Sequence, residues 1–156
     1  METLEACTVV TDVHTIANLD LMTCTTKDYE NIHTEFCLEA LHATVVTALA
    51  GYFDVFFDLP DKPVHFSTGP QSTPTHWKQV LFYLQEPIVM TKGKSQFQIV
   101  PLRQPRSLTL QTNLTKTSFA GEKLAGELTC RRHRKHVRSL EVDISVQGKK
   151  YSFNLN

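Results

Sequence analysis

A chain of 156 residues with 41% hydrophobic content has the size and the apolar material for one ordinary domain, and nothing in it requires a second. Sixteen Lys and Arg balance sixteen Asp and Glu, so no long-range field steers the whole molecule toward phosphate or anionic lipid; any nucleic-acid contact has to rest on a local patch. Cys7, Cys24, Cys37 and Cys130 follow no pairing rhythm and no basic-then-apolar leader precedes them, so we expect reduced thiols and a soluble protein of the cytoplasm or nucleus. The longest apolar stretch, residues 45–59, is interrupted by Asp54 and Asp58 and is too short to cross a bilayer.

In chain order, the first run with a period near two is residues 34–41. The next, residues 43–57, alternates Val45, Leu49, Gly51, Phe53, Val55 and Phe57 with Thr44, Val46, Ala48, Tyr52 and Asp54, and its β-branched and aromatic content reads as one long strand. A helix competes, since Val45, Val46, Leu49 and Phe53 also fall at helical spacing, but Gly51 in mid-run opposes it. Pro60, Pro63, Gly69, Pro70 and Pro74 then mark a region of turns. Strand patterns resume at residues 76–84, 123–130 and Leu140–Val146, and a turn at Gln147-Gly148-Lys149 leads into a last strand at 151–155. No segment carries a capped amphipathic helix. Many short strands with this punctuation predict an all-β fold, either an antiparallel barrel or a sandwich.

Residues 94–120 behave differently. They hold Pro101, Arg103, Pro105, Arg106 and a run of Thr, Gln and Asn, with only a vague strand pattern at 107–110. Their flanks, residues 88–93 and 121–124, would join directly into a turn and a strand. Gly93-Lys94-Ser95 can be encoded by GGT-AAG-TCN, which contains a splice-donor sequence, and Ser118 to Gly121 by a pyrimidine-rich stretch ending in an acceptor AG. The chain therefore divides into one domain, residues 1–93 and 121–156, and an insertion, 94–120, expected to be a retained intron that protrudes and buries little. A lineage-specific surface loop is the alternative, because closure cost grows slowly with length, but structureless loops this long are uncommon in compact domains.

The string Phe66-Ser67-Thr68-Gly69-Pro70-Gln71-Ser72-Thr73-Pro74-Thr75-His76-Trp77-Lys78-Gln79 is similar to the segment around the Thr-His-Trp loop of the type I protein arginine N-methyltransferases. Ala50-Gly51-Tyr52-Phe53-Asp54-Val55 and Val80-Leu81-Phe82-Tyr83-Leu84 extend the likeness on either side, and Arg138-Ser139-Leu140-Glu141-Val142 resembles the family's penultimate strand. Outside 94–120 and the first few residues it covers nearly the whole chain. The run from Phe66 to Thr73 is nearest to the member that carries an N-terminal zinc finger and methylates a ribosomal protein.

The resemblance implies an all-β, antiparallel β-barrel-like domain. It implies that the barrel is incomplete, because the family's first strand precedes a dimerisation arm that has no counterpart here, and that an edge is exposed. For the parent enzyme it implies S-adenosylmethionine as methyl donor, arginine-containing protein substrates, a homodimer, and monomethyl then asymmetric dimethyl product. The cofactor fold and two glutamates that grip the guanidinium belong to an N-terminal half. His76 is expected to pair with an acidic residue of that half and so support the active site across the domain boundary. Thr75 and Trp77 are expected to bind substrate, Trp77 lining the arginine channel with an apolar wall and a ring face attractive to a cation. On pattern alone, a histidine and a tryptophan at a strand start are more often packing residues. Gly51, Gly69, Gly93, Gly121, Gly126 and Gly148 form no Gly-rich turn, so this chain alone is expected to bind no cofactor and transfer no methyl group.

Other patterns compete. The basic run from Arg131 to Arg138 could hold phosphate, but no stacking aromatic is interleaved, so a solvated hairpin is the expectation and nucleic acid is not expected as a partner. Cys130, His133 and His136 have metal-like spacing without an evident fourth ligand, and we expect no metal. Asn113-Leu114-Thr115 matches a glycosylation sequon, read as chance. A non-enzymatic β-sandwich binding module is the alternative function, and no membrane partner is expected.

Overall fold

Alternation of more and less buried residues, clearest over Leu140–Val146, sets the architecture. The computed structural model describes residues 3–57, 61–91, 121–136 and 138–155. Four strands, β1 (Asn31–Glu39), β6 (Lys123–Arg132), β7 (Leu140–Val146) and β8 (Lys149–Leu155), pair antiparallel in the order β1-β6-β7-β8. In β7 the side chains of Val142, Ile144 and Val146 are buried, whereas Asp143 on the opposite face takes ion pairs from Arg131 and Lys150. The β7–β8 connection is a two-residue turn in which Gln147 and Gly148 both have positive φ, 49° and 74°, matching the twist of the flanking strands. The last strand thus begins at Lys149, two residues before its sequence pattern.

Two further pairs complete the fold. The strand β2 (Thr44–Gly51) pairs antiparallel with β5 (Val80–Met90), and β3 (Asp54–Phe57) pairs antiparallel with β4 (Val64–Ser67). Val46, Leu84, Ile88 and Met90 from the β2–β5 pair meet Leu124, Val146 and Tyr151 of the four-stranded sheet in one core cluster; Phe36, Phe82, Val142 and Ile144 form a second. Among the described residues the arrangement is barrel-like and almost without helix, and no sheet closes on itself. The N-terminal stretch joins it: Thr11 bridges Ala40, Asp12 N–H donates to the Glu39 carbonyl at 3.0 Å, and Val10 and Ile16 pack on the two clusters. A five-residue helix, α1 (Thr26–Glu30), precedes β1; the Asp28 carboxylate accepts from the backbone N–H and hydroxyl of Thr25. Among the described residues, no helix is long and apolar enough to cross a membrane.

The expected long strand over 43–57 is two strands in two sheets. Tyr52 and Phe53 leave the ladder between them, because the Phe53 backbone bonds to Thr68 instead. Within β2 a register shift between Val46 and Ala48 also changes the face that points inward, so even-numbered Val46 is buried before it and odd-numbered Leu49 packs on the core after it. The strand expected over 76–84 starts at Val80 and continues through Pro87, which falls in the stretch of β5 opposite that shift. β1 begins three residues before its sequence pattern, and β6 runs two residues past its own.

Residues 94–120, with the sequon at Asn113, lie outside the described residues, and so does the expectation that they protrude. The described residues on either side are tied together. Thr91 N–H and hydroxyl donate to the Glu122 carboxylate at 2.6 and 2.8 Å, and Glu122 N–H donates to the Thr91 carbonyl at 3.3 Å.

Candidate functional site: the Thr75–Trp77 loop and its aromatic face

Proline and small polar residues between β4 and β5 build a turn-rich approach to Thr75. Gly69 N–H donates to the Ser67 hydroxyl at 2.9 Å, and Ser72 N–H closes a turn onto the Gly69 carbonyl at 3.1 Å with Pro70 at its second position. His76 and Trp77 then occupy a turn of their own rather than the start of a strand, and Lys78 has φ 56°, a left-handed conformation costly for a residue with a side chain. Only at Val80 does the chain enter the β2–β5 ladder.

The loop presents rings side by side. The His76 and Trp77 centroids are 3.9 Å apart, tilted by 35°. Phe66 from β4 stacks with Trp77 at 5.6 Å, and Phe53, from the break between β2 and β3, meets it edge-on at 5.8 Å; Phe53 and Phe66 touch edge to face at 6.4 Å. Trp77 nevertheless remains 44% exposed, and Phe53, Phe56, Phe57 and Val64 are exposed on the neighbouring β3–β4 hairpin. Next to these rings the Thr75 hydroxyl is buried with no hydrogen-bond partner among the described residues. Near the turn, burial, and then the charge of Asp54, raise the Tyr52 phenol above its ordinary pKa and keep it neutral.

Sequence reasoning named Thr75, His76 and Trp77, and the structure brings them together. It gave no site role to Phe53 and Phe66, which complete the face from two other elements, nor to the buried Gln79 and Thr68. A polar Gln at the head of the apolar Val80–Leu84 run was the one available signal; Thr68 offered none.

The competing patterns fall elsewhere. Cys130 lies on the inner face of β6 against the second core cluster, where burial pushes its thiol up. His133 and His136 sit at the β6–β7 hairpin tip with rings 5.0 Å apart, and His133 Nδ1 accepts the backbone N–H groups of Lys135 and His136, each at 3.1 Å. Cys130 thus faces the core while the histidines shape a turn, and no group of three or more His, Cys, Asp or Glu among the described residues could hold a metal ion. In the basic run Arg131 pairs with Asp143 at 2.6 Å and Arg134, Lys135 and Arg138 are exposed.

Residues 1–118 match the family model described as the arginine methyltransferase oligomerization subdomain. The chain belongs to the arginine methyltransferase family. Protein arginine N-methyltransferase 1 of Schizosaccharomyces pombe is 30% identical over 154 residues, 99% of this chain and 35% of the relative. The Dictyostelium discoideum protein arginine N-methyltransferase 1 is 41% identical over 86 residues, 55% of this chain and 25% of that relative. Among solved structures, the Trypanosoma brucei PRMT1 enzyme-prozyme heterotetrameric complex with AdoHcy superimposes with a TM-score of 0.76 at 25% identity, over 99% of this chain and 43% of that one. Arabidopsis thaliana protein arginine methyltransferase 10 shares the fold, with a TM-score of 0.68 at 17% identity. The chain corresponds to the C-terminal subdomain of an arginine methyltransferase and spans about a quarter to a third of the length of these curated relatives.

Proposed function

We propose that this domain forms one wall of the arginine-substrate site of an S-adenosylmethionine-dependent protein arginine N-methyltransferase. The observation that carries the reading is the half-exposed ring face of His76, Trp77, Phe53 and Phe66 beside a buried Thr75 hydroxyl that lacks a partner. An aromatic wall excludes water and favours a guanidinium, and the unpartnered Thr75 hydroxyl would give it a polar contact once the loop turns it outward. His76 pairs with an acidic group of the cofactor half and fixes how the two halves meet; Trp77 and Thr75 line the channel. When bound in the parent enzyme, S-adenosylmethionine supplies the electrophilic methyl group, and what this domain adds is orientation of the acceptor nitrogen.

The described residues offer no succession of strand, Gly-rich turn and helix to receive the cofactor, which supports a reading in which the complementary half holds it. The parent enzyme then acts as a homodimer in the cytoplasm or nucleus, with arginine-containing proteins as substrates. For the subfamily, the Phe66 to Thr73 run favours the zinc-finger-bearing, ribosomal-protein-methylating member; a parent transcript encoding no zinc finger would assign the chain instead beside the methyltransferase 1 relatives.

The test joins this domain to the cofactor half of a methyltransferase 1 relative and follows methyl transfer to an arginine peptide. The hybrid should be active, His76→Ala should lower turnover, and Trp77→Ala should raise the peptide KM. Equal activity of all three would remove the case for a site here. Calorimetry on the domain alone should show no S-adenosylmethionine binding.

A further inference from the structure

We propose that Gln79 and Thr68 form a buried positioning pair that sets the pose of the Trp77 ring. Its functional meaning rests on the arginine-wall reading above, but its physical content does not. Gln79 is the second residue after Trp77 and is only 4% exposed, so both ends of its amide need partners. Its Oε1 accepts from Leu4 N–H at 2.8 Å, and its Nε2 donates to the Thr68 carbonyl at 2.5 Å. Thr68 is 1% exposed and holds Phe53 three times over. Its hydroxyl accepts from Phe53 N–H at 3.0 Å and donates to the Phe53 carbonyl at 2.9 Å, and its own N–H donates to that carbonyl at 3.0 Å.

The consequence is geometric. Phe53 has left the β2 ladder, and these bonds fix its backbone, hence the ring that meets Trp77 edge-on. On the other side, Gln79 anchors the chain immediately after Lys78, whose left-handed backbone would relax if released. The same buried pair therefore clamps both partners of the Phe53–Trp77 contact. Gln79 and Thr68 touch no substrate; they act through Trp77.

Trp77 is the chain's one tryptophan, so intrinsic emission reports this ring alone. Thr68→Val removes the hydroxyl at constant shape and Gln79→Met removes the amide at similar volume. In each, the emission should shift to the red and acrylamide should quench it several-fold more, with an unchanged far-ultraviolet spectrum. Thr68→Ser should restore both readouts, which a volume effect would not. A folded Thr68→Val or Gln79→Met with wild-type emission and quenching overturns the proposal. Should either variant not fold, the wild type decides: the Phe53 amide must be protected from hydrogen exchange as strongly as the β6 and β7 ladder amides, and exchange at the rate of exposed turns overturns the pairing. In the hybrid enzyme, Thr68→Val should raise the peptide KM several-fold more than it lowers kcat. If Trp77→Ala leaves methylation untouched while the emission results hold, the arginine-wall reading fails and the positioning pair stands.

Discussion

Gly126 lies in the middle of β6, opposite Phe36 of β1 on one side and Val146 of β7 on the other. A Cβ at this position would stand 2.5 Å from Phe36 Cζ and 2.5 Å from the Ser145 carbonyl oxygen. The ring could swing away; the carbonyl belongs to the β7 backbone and cannot move without the sheet. Overpacking of this kind costs about 1–3 kcal/mol. The backbone of Gly126 is not left-handed, so alanine recovers about 0.4–1 kcal/mol by restricting the unfolded chain. Gly126→Ala should therefore lose about 1.3 kcal/mol, and with a urea slope of roughly 2 kcal/mol per molar its midpoint should drop by about 0.6 M. The assay is urea unfolding followed in parallel by Trp77 emission and far-ultraviolet dichroism. In a Phe36→Leu background the cost should shrink without vanishing, since the Ser145 carbonyl remains. An unchanged or raised midpoint for Gly126→Ala would refute this account of the sheet.

Three further outcomes are expected. The Asp143 carboxyl is held below its ordinary value, first by the Ser152 hydroxyl and then by Lys150 and Arg131, so its contribution to stability is present above the unfolded carboxylate pKa of about 3.9 and lost as pH falls through the lower folded value. Asp143→Asn should accordingly be less stable than wild type at pH 7 by a modest margin, with the gap closing below about pH 4 in urea midpoints. We propose that residues 94–120 are a retained intron: because Thr91 and Glu122 already meet, deleting the segment should leave a folded domain with an unchanged or slightly raised midpoint, and if every transcript carries the segment the intron reading fails. Glu122→Gln should weaken that junction, lowering hydrogen-exchange protection at Thr91 before any site in β5.

The strands were legible where one face is buried and no irregularity intervenes. Val142, Ile144 and Val146 alternate with Glu141, Asp143 and Ser145, and the expected β7 coincides with the observed one. The 43–57 run was misread for a specific reason: β-branched and aromatic residues continue through Tyr52 and Phe53, so local propensity gives no sign that the chain changes sheets there. What stops the strand is Thr68, fifteen residues away, which competes for the Phe53 backbone. A register shift is equally silent in sequence, because it reverses the parity of burial without altering composition. The sequence pattern ended at Leu84, whereas β5 runs on through Pro87 to Met90.

The site divides along the same line. Thr75, His76 and Trp77 are adjacent in the chain and could be named together, whereas the face they belong to is closed by Phe53 and Phe66 from different strands, which no spacing rule connects. The placement of His76 and Trp77 at a strand start failed because Lys78 adopts a left-handed turn that a lysine does not advertise. That departure favours a functional reading over a packing one. A packing tryptophan would be expected to sink into the core along a regular strand; here the chain makes a left-handed turn at Lys78, anchored just beyond it by the buried Gln79 amide, and the ring is 44% exposed. Buried polar bonds that maintain exposure of an aromatic ring carry a cost the fold alone does not require, and the proposed arginine wall would give that cost a purpose.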